Sequence, residues 1–187
     1  MKKIVSIIEN LPILYGIGVI LIYGLSLAEF SLAIMHLFPF ENIFINTFRI
    51  ILGVSYVVNI LWGFIIWVIY TLLFHLAAIL LGGHATFKRT LFATSYPYII
   101  PACMLFVGIL LLDNVPQLNI GITEELLNQN STILLIKNLI SYSFIFYYLS
   151  VVVLVRHIYK INYIKSLATV FIPVLFIWLI TQLFRWI

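Results

Sequence analysis

The composition of this 187-residue chain excludes a water-soluble globular protein. Hydrophobic residues make up 64% of the sequence and charged residues only 9%, against about 25% charged in an ordinary soluble domain. Ten Lys or Arg and six Asp or Glu are too few to cover a surface of this size in water, so most of it must face hydrocarbon. The single cysteine excludes a disulfide framework. The net charge of +4 comes from cations scattered between apolar stretches, so nucleic acid is not an expected partner.

Five apolar stretches are long enough to cross a bilayer, which takes about 20 residues of helix. They cover approximately residues 11–35, 50–81, 90–112, 132–155 and 166–186. The sequence shows no internal repeat and no separate soluble segment. It therefore predicts an all-α fold: a polytopic integral membrane protein with a single domain over residues 1–187, organised as a five-helix transmembrane bundle.

The second span is longer than the bilayer requires at about 1.5 Å per residue, so we expect it to be tilted, broken near Asn59–Gly63 or extended along the interface. Gly82 and Gly83 follow it, and glycine accepts the left-handed backbone conformation found at helix C-termini. We therefore expect the second helix to end at this pair.

The third span contains two prolines four residues apart, Pro97 and Pro101, which predict a kink because proline removes a helical N–H donor. Thr94 and Ser95 stand just before Pro97 and can bond the carbonyls that it frees. Proline-broken helices also build substrate sites in transporters, and Pro173 in the fifth span is the obvious matching break.

The cations predict an orientation. Seven of the ten fall at the N-terminus or in the connections after the second and fourth spans: Lys2, Lys3, Lys88, Arg89, Arg156, Lys160 and Lys165. Three fall on the other side, namely Arg49, Lys137 and Arg185, together with the acidic Glu41, Asp113, Glu124 and Glu125. The positive-inside rule then places the N-terminus in the cytoplasm and the C-terminus outside. Trp62, Trp67, Trp178 and Trp186 are candidate interfacial anchors.

Four polar residues inside or at the ends of the spans are candidates for an intramembrane site: Glu29, His36, Asn59 and His75. Glu29 and His36 are seven residues apart, so they lie on nearly the same helix face and could hold a proton or a cation. The alternative is structural, with Glu29 neutral or paired with Arg49 or a tyrosine hydroxyl, and with Asn59 and His75 bonding neighbouring helices. The serines and tyrosines of the fourth span, which include Ser141, Ser143 and Ser150, could line a cavity or serve in packing.

Familiar catalytic patterns are absent from the sequence. It contains no HExxH, GxSxG or glycine-rich phosphate loop, and no cysteine pair for a metal. We therefore predict no catalytic, cofactor-binding or metal-binding residues and a non-enzymatic protein. A lipid-modifying activity that uses Glu29, His36 or His84 stays open as an alternative.

Two connections on the predicted cytoplasmic side interleave cations with aromatic and aliphatic residues. We call them the basic turns, residues 82–90 and 156–165. Their predicted docking residues are Gly82, Gly83, Phe87, Lys88, Arg89, Arg156, His157, Lys160 and Lys165. Each cation beside an anionic leaflet contributes about 1 kcal/mol. The turns therefore predict either ordinary positive-inside anchoring or a docking surface for a protein partner or for anionic lipid headgroups.

Trp67 and the run from His75 to Leu91, followed by Tyr96 and Pro101, resemble the core signature of the Yip family of Ypt/Rab-interacting membrane proteins. In that signature a long helix ends in a glycine turn, and a Ser or Thr, a Phe and a Lys follow before a helix with a tyrosine and a proline. The second basic turn, with Ser166 and Ala168, is similar to the final segment of the family. The resemblance implies five membrane helices with a cytoplasmic N-terminus and, for eukaryotic members, vesicle trafficking through small GTPases.

About ten residues precede the first span, where eukaryotic members carry a long cytoplasmic segment, so the chain is similar to short prokaryotic relatives. The expected function is a membrane-organising or partner-binding scaffold in a prokaryotic plasma membrane. The alternative is a small transporter or channel for a proton, a cation or a small solute, using Glu29, His36, Asn59 and His75. Membrane lipids are the expected partners; other membrane proteins, a cytoplasmic protein and a second copy of the chain are the open alternatives.

Overall fold

The computed structural model describes residues 13–37, 45–115 and 130–185, with the backbone alone for residues 45–51 and 184–185. Within these ranges the regular structure is entirely helical. The helices are α1 (Ile13–His36), α2 (Ile45–Leu80), α3 (Phe87–Ser95), α4 (Ile99–Leu112), α5 (Ser131–Tyr159) and α6 (Tyr163–Arg185). A 3₁₀ turn, Tyr96–Tyr98, joins α3 to α4.

Five helical segments of the described chain are long and apolar enough to cross a membrane. They are Ile13–His36, Leu52–Leu80, Phe87–Leu112, Ser131–Tyr159 and Tyr163–Leu183. The predicted fold class, an all-α multi-pass membrane protein of the five-helix bundle type, is confirmed. Several predicted features fall outside the described residues: Lys2, Lys3, Glu41, Glu124, Glu125, Trp186 and the side chains of Arg49 and Arg185.

The described residues divide into two compact units. Unit one comprises residues 13–19, 65–97 and 146–185, and unit two comprises residues 20–37, 45–64, 98–115 and 130–145. The core of unit one includes the buried side chains of Phe74, Ala78, Val151, Val155, Ile158 and Val170. In unit two, Leu37, Leu112, Val115 and Ile136 form a buried cluster. The assignment of residues 1–187 to a single domain stays a prediction.

Helix α2 is continuous over 36 residues, a length of about 54 Å. Of the three alternatives for the excess length, the break near Asn59–Gly63 is therefore wrong; tilting and extension along the interface stay predictions. Gly63 instead permits a close approach to α1, since a Cβ added there would lie 3.1 Å from the Cα of Gly24. Small residues let membrane helices pack backbone against backbone, which explains a glycine here without a break.

Gly82 and Gly83 end α2 as predicted. Gly82 has φ of +86°, its N–H donates to the carbonyl of Ile79 at 2.9 Å, and the N–H of Gly83 donates to the carbonyl of Ala78 at 2.9 Å. These two bonds form a Schellman motif, which satisfies carbonyls at the end of a helix. The chain therefore reverses sharply into the first basic turn.

The kink predicted in the third span is present as the 3₁₀ turn between α3 and α4. Pro97 lies inside that turn, where it has no N–H to give to the carbonyl of Ala93. Pro101 falls in the first turn of α4, where a missing N–H costs little. The Thr94 and Ser95 hydroxyls donate to the carbonyls of Leu91 and Phe92, at 3.1 and 2.6 Å. The carbonyl that Pro97 leaves without a donor is that of Ala93, so the prediction that Thr94 and Ser95 bond it is wrong.

The second basic turn is shorter than predicted. Helix α5 continues to Tyr159 and α6 begins at Tyr163, so Arg156 and His157 belong to the last turn of α5. Lys160 takes the left-handed conformation, with φ of 55°, and Asn162 caps α6 by accepting the N–H of Lys165 at 2.8 Å. Residues 160–162 alone make the connection. Lys160 ends α5 in a left-handed conformation, and Asn162 caps the start of α6.

Candidate functional site

A buried hydroxyl and imidazole network lies in unit one, where the end of α2, the start of α3 and the end of α5 meet. Tyr159, which is 2% exposed, is its centre: its hydroxyl bonds Nδ1 of His75 on α2 and Oγ1 of Thr90 on α3, the latter at 2.6 Å. Thr90 Oγ1 also lies 3.3 Å from the carbonyl of Thr86. One phenol therefore joins three helices.

The proton order in this network follows from the inventory of donors. If His75 carries its proton on Nδ1, it donates to Tyr159, Tyr159 donates to Thr90, and Thr90 donates to the carbonyl of Thr86. With the other tautomer, Tyr159 donates to His75 and Thr90 donates to Tyr159. Both arrangements give every hydroxyl a partner, as buried polar groups require.

A second set of polar contacts links α2 and α3 one turn further along. The hydroxyls of Thr71 and Thr94 lie 2.7 Å apart, and Nε1 of Trp67 donates to the carbonyl of Leu91 at 3.0 Å. Thr71, Thr90 and Thr94 have no exposed surface. Trp67 is buried as well, and its indole serves a contact between helices; its place near a membrane interface stays a prediction. We define the hydroxyl network as Thr71, His75, Thr90, Thr94 and Tyr159.

Two contacts join the basic turns to one another. Gly83 packs on Tyr159, since a Cβ added to Gly83 would lie 2.9 Å from the Tyr159 Cβ and Cδ1 atoms. Lys165 Nζ donates to the carbonyl of Leu81 at 2.9 Å, which places an ammonium group at the negative end of α2. The network and these two contacts therefore hold residues 82–90 and 156–165 on one surface of unit one.

The predicted docking residues differ in what they contact. Lys88, Arg89, Arg156, Lys160 and Lys165 are exposed, whereas His157 is half-buried. Phe87 is half-buried too, and its ring stands edge-on to His75 with the centroids 5.4 Å apart, so it packs on the network. The guanidinium carbon of Arg156 lies 3.7 Å above the ring centroid of Tyr163, a cation–π geometry.

The described residues of unit one carry charge of a single sign. Within residues 13–19, 65–97 and 146–185 the sequence contains no Asp or Glu, while it carries all five cations of the basic turns. An electrostatic surface of this kind attracts anions and repels a basic partner. The chemistry that it favours is recognition of phosphate or carboxylate groups.

The predicted intramembrane residues divide between the units. Glu29, His36 and Asn59 belong to unit two, and His75 belongs to unit one. Tyr56 donates to Oε1 of Glu29 at 2.8 Å, which is the tyrosine partner expected in the structural interpretation. Glu29 and His36 are exposed and Asn59 is half-buried. Across the described ranges, no three His, Cys, Asp or Glu side chains are grouped to hold a metal ion.

The serines of α5 act locally. Ser141, Ser143 and Ser150 bond the carbonyls of Lys137, Ile140 and Phe146 respectively, at 2.6 to 2.9 Å. Each bond returns to the same helix three or four residues back, a common way to satisfy a hydroxyl in an apolar segment. The geometry therefore favours the packing interpretation of these residues over the cavity interpretation.

Thr71 and Tyr159 are members of the network that sequence reasoning did not single out. The sequence does contain a pattern that marks Thr71. Thr71 and His75 are four residues apart, as are Thr90 and Thr94, so each pair lies on one helix face. Two matched polar stripes on neighbouring helices predict a bonded interface. Tyr159 is separated from His75 by 84 residues, and no local spacing connects them.

Comparison of the chain with models of known protein families, with curated proteins and with solved structures finds no match in any of the three.

Proposed function

We propose that this protein is a non-enzymatic membrane scaffold of the Yip type, which organises or binds other membrane components through its basic turns. The observation that carries the proposal is that Tyr159 and Lys165 fix the two turns together while Lys88, Arg156 and Lys160 stay exposed. A docking surface needs this combination of rigid support and accessible charge, because ordering a flexible loop would cost binding free energy.

The hydroxyl network supports a scaffolding function. Thr71, Thr90 and Thr94 are fully buried, and their hydroxyls bond other parts of unit one. Polar groups that are satisfied in this way hold membrane helices in register. The network thus acts as the fixed base beneath the basic turns rather than as a set of groups that await a substrate.

The proposal includes an orientation and a location. Seven of the ten cations, among them those of both basic turns, fall on one predicted side of the membrane, which favours a cytoplasmic location for the turns and the N-terminus. The C-terminus then lies outside. The resemblance at Trp67, His75–Leu91, Tyr96 and Pro101 supports a multi-pass membrane location, and the proposed membrane is a prokaryotic plasma membrane.

The transport alternative receives less support. It requires Glu29, His36, Asn59 and His75 to act as a set, yet two of them are engaged by structural partners. His75 is engaged by Tyr159 and Glu29 by Tyr56. These two pairings agree with the structural interpretation of Glu29 and His75.

The proposal is tested by removing the charge of the basic turns. In native membranes, a photo-crosslinker at residue 84 is expected to give discrete crosslinked products with neighbouring membrane components. Substituting Lys88, Arg89, Arg156 and Lys160 together by Gln should reduce their yield at least about tenfold, since each cation contributes about 1 kcal/mol at an anionic surface.

The matched control keeps the charge and leaves Arg156 unchanged: K88R, R89K and K160R in one chain, which should retain most of the crosslinking. Both variants are first compared with the wild type by circular dichroism and thermal unfolding. An unchanged set of crosslinked products in the folded, neutralised variant would show that the turns are not the docking surface.

A further inference from the structure

The stacked pair Arg156 and Tyr163 is the most specific feature of the basic turns. The guanidinium carbon is 3.7 Å from the ring centroid, and Tyr163 is 46% exposed. A guanidinium group held over a ring by one face keeps its N–H edge for acceptors, and that edge matches two oxygens of one phosphate. The ring also restricts the long arginine side chain, which reduces the entropy lost when it binds.

Apolar side chains stand beside this pair. Ile164 is 78% exposed and Leu167 is 41% exposed, and both belong to the first two turns of α6, which is apolar enough to span a membrane. Leu167 is four residues after Tyr163, so the two share a helix face. A cation, a phenol ring and aliphatic side chains therefore follow one another at the start of α6. Polarity decreases in the same order from the headgroup of a phospholipid to its acyl chains.

The surrounding charge selects an anionic lipid. Lys160 and Lys88 are exposed in the same unit, and the described part of unit one has no Asp or Glu to neutralise them. A zwitterionic headgroup would bring a cationic choline or ammonium group into this surface. An anionic phosphodiester without that group is favoured.

We propose that Arg156 and Tyr163 form a binding site for the phosphate of an anionic phospholipid in the adjoining leaflet, with Ile164 and Leu167 against its acyl chains. This inference rests on the proposed function, because it assigns one class of ligand to the basic turns. The lipid, rather than free phosphate, is the occupant because the exposed aliphatic side chains flank the arginine at the end of a membrane-spanning helix.

The site differs from general electrostatic attraction in its dependence on geometry. Arg156→Lys keeps the charge and removes the planar fork and its stacking. Tyr163→Leu keeps an apolar side chain and removes the ring. Each change should weaken anionic lipid binding about fivefold, the order of a cation–π contact. Lys137→Gln, the matched control, removes a full charge from an exposed side chain of unit two, outside the basic turns, and should weaken binding less than either.

The measurement uses the purified full-length chain in detergent micelles, with lipid adducts counted by native mass spectrometry. Phosphatidylglycerol and phosphatidylcholine of the same acyl composition are titrated separately, and inorganic phosphate is added as a competitor in a third series. Wild-type protein should retain phosphatidylglycerol in preference to phosphatidylcholine, and phosphate at matched concentration should not displace it. Thermal unfolding of each variant verifies that it is folded.

Three results would overturn the inference. They are equal retention of the two lipids, unchanged binding in folded R156K and Y163L proteins, and displacement of the lipid by phosphate alone. The crosslinking experiment is independent of these results. If lipid selectivity is absent while the neutralised variant still loses its crosslinked products, the lipid site fails and the scaffold function stands; if crosslinking is unaffected, the scaffold function fails.

Discussion

At the scale of single residues, Tyr159 combines packing and hydrogen bonding in one side chain. Its ring fills the space that glycine leaves at position 83, and its hydroxyl bonds His75 and Thr90. In an apolar interior, a hydroxyl without a partner costs about 1 to 3 kcal/mol. Removing one member of the network therefore affects the groups that remain.

Tyr159→Phe should lower the free energy of unfolding by about 1 to 3 kcal/mol, because Thr90 and His75 lose a common partner. Thr90→Val should have a similar effect, and the double variant should cost less than the sum of the two, with a coupling of about 0.5 kcal/mol or more. Reversible unfolding in mixed detergent micelles, followed by circular dichroism, measures all three.

Tyr142→Phe is the matched control, since the ring of Tyr142 is 57% exposed on the same helix. Its effect should fall within about 0.5 kcal/mol of zero. Additive effects of Tyr159→Phe and Thr90→Val, or a Tyr159→Phe effect no larger than that of Tyr142→Phe, would contradict a coupled network.

At the scale of helices, two asparagines set the starts of α5 and α6. Asn130 accepts the N–H groups of Thr132 and Ile133 at 3.0 and 3.2 Å, and Asn162 accepts the N–H of Lys165 at 2.8 Å. Both are N-caps, in which a side-chain oxygen satisfies an N–H group of the first helical turn. The Asn130-Ser131-Thr132 sequence matches a glycosylation sequon, and its asparagine oxygen serves as this cap.

Asn162→Ala should therefore destabilise the protein by about 1 kcal/mol, and Asn130→Ala by a similar amount. Amide hydrogen exchange should increase mainly in the first turn of the affected helix. Asn138→Ala is the control, because Asn138 is exposed on α5 about two turns after its start, where helical N–H groups already have partners within the helix. Equal effects at positions 138 and 162 would contradict a capping function.

The helix ends also show where sequence reasoning succeeds and fails. Gly82 and Gly83 end α2 where predicted, because glycine marks a backbone geometry that few other residues adopt. The fourth span is predicted to end at residue 155 and the fifth to begin at residue 166, whereas α5 ends at Tyr159 and α6 begins at Tyr163. Hydropathy places Arg156 in a loop, yet the helix continues so that Ile158 and Tyr159 are buried in unit one. A cation on the exposed side of a last helical turn does not end a helix.

The site was predictable only where its residues are close in sequence. The basic turns and His75 are recognisable from composition, and the four-residue spacing of Thr71 with His75 marks a helix face. The contact between His75 and Tyr159 spans 84 residues and depends on which helices are neighbours. Hydropathy alone does not determine that choice, because most faces of these helices are apolar.

At the scale of the whole molecule, the charges of the described chain are unevenly divided. The two carboxylates, Glu29 and Asp113, belong to unit two together with Lys137, whereas the five cations of the basic turns belong to unit one. In the proposed topology each of the five candidate spans crosses the membrane once, so successive connections lie on alternate sides. The proposed orientation, from the positive-inside rule, has Lys160 in the cytoplasm and Asp113 on the opposite side.

This topology is testable with single cysteines. Cys103 is exposed, so it is first replaced by Ser; Asp113→Cys and Lys160→Cys are then made separately. In intact cells a membrane-impermeant maleimide should label position 113, and position 160 should react only after the membrane is permeabilised. The reverse labelling pattern would show the opposite orientation, with the basic turns outside the cell. It would contradict the proposal that they form a cytoplasmic docking surface. Labelling of both positions from one side would contradict alternation across the spans, because α5 is the described span between residues 113 and 160.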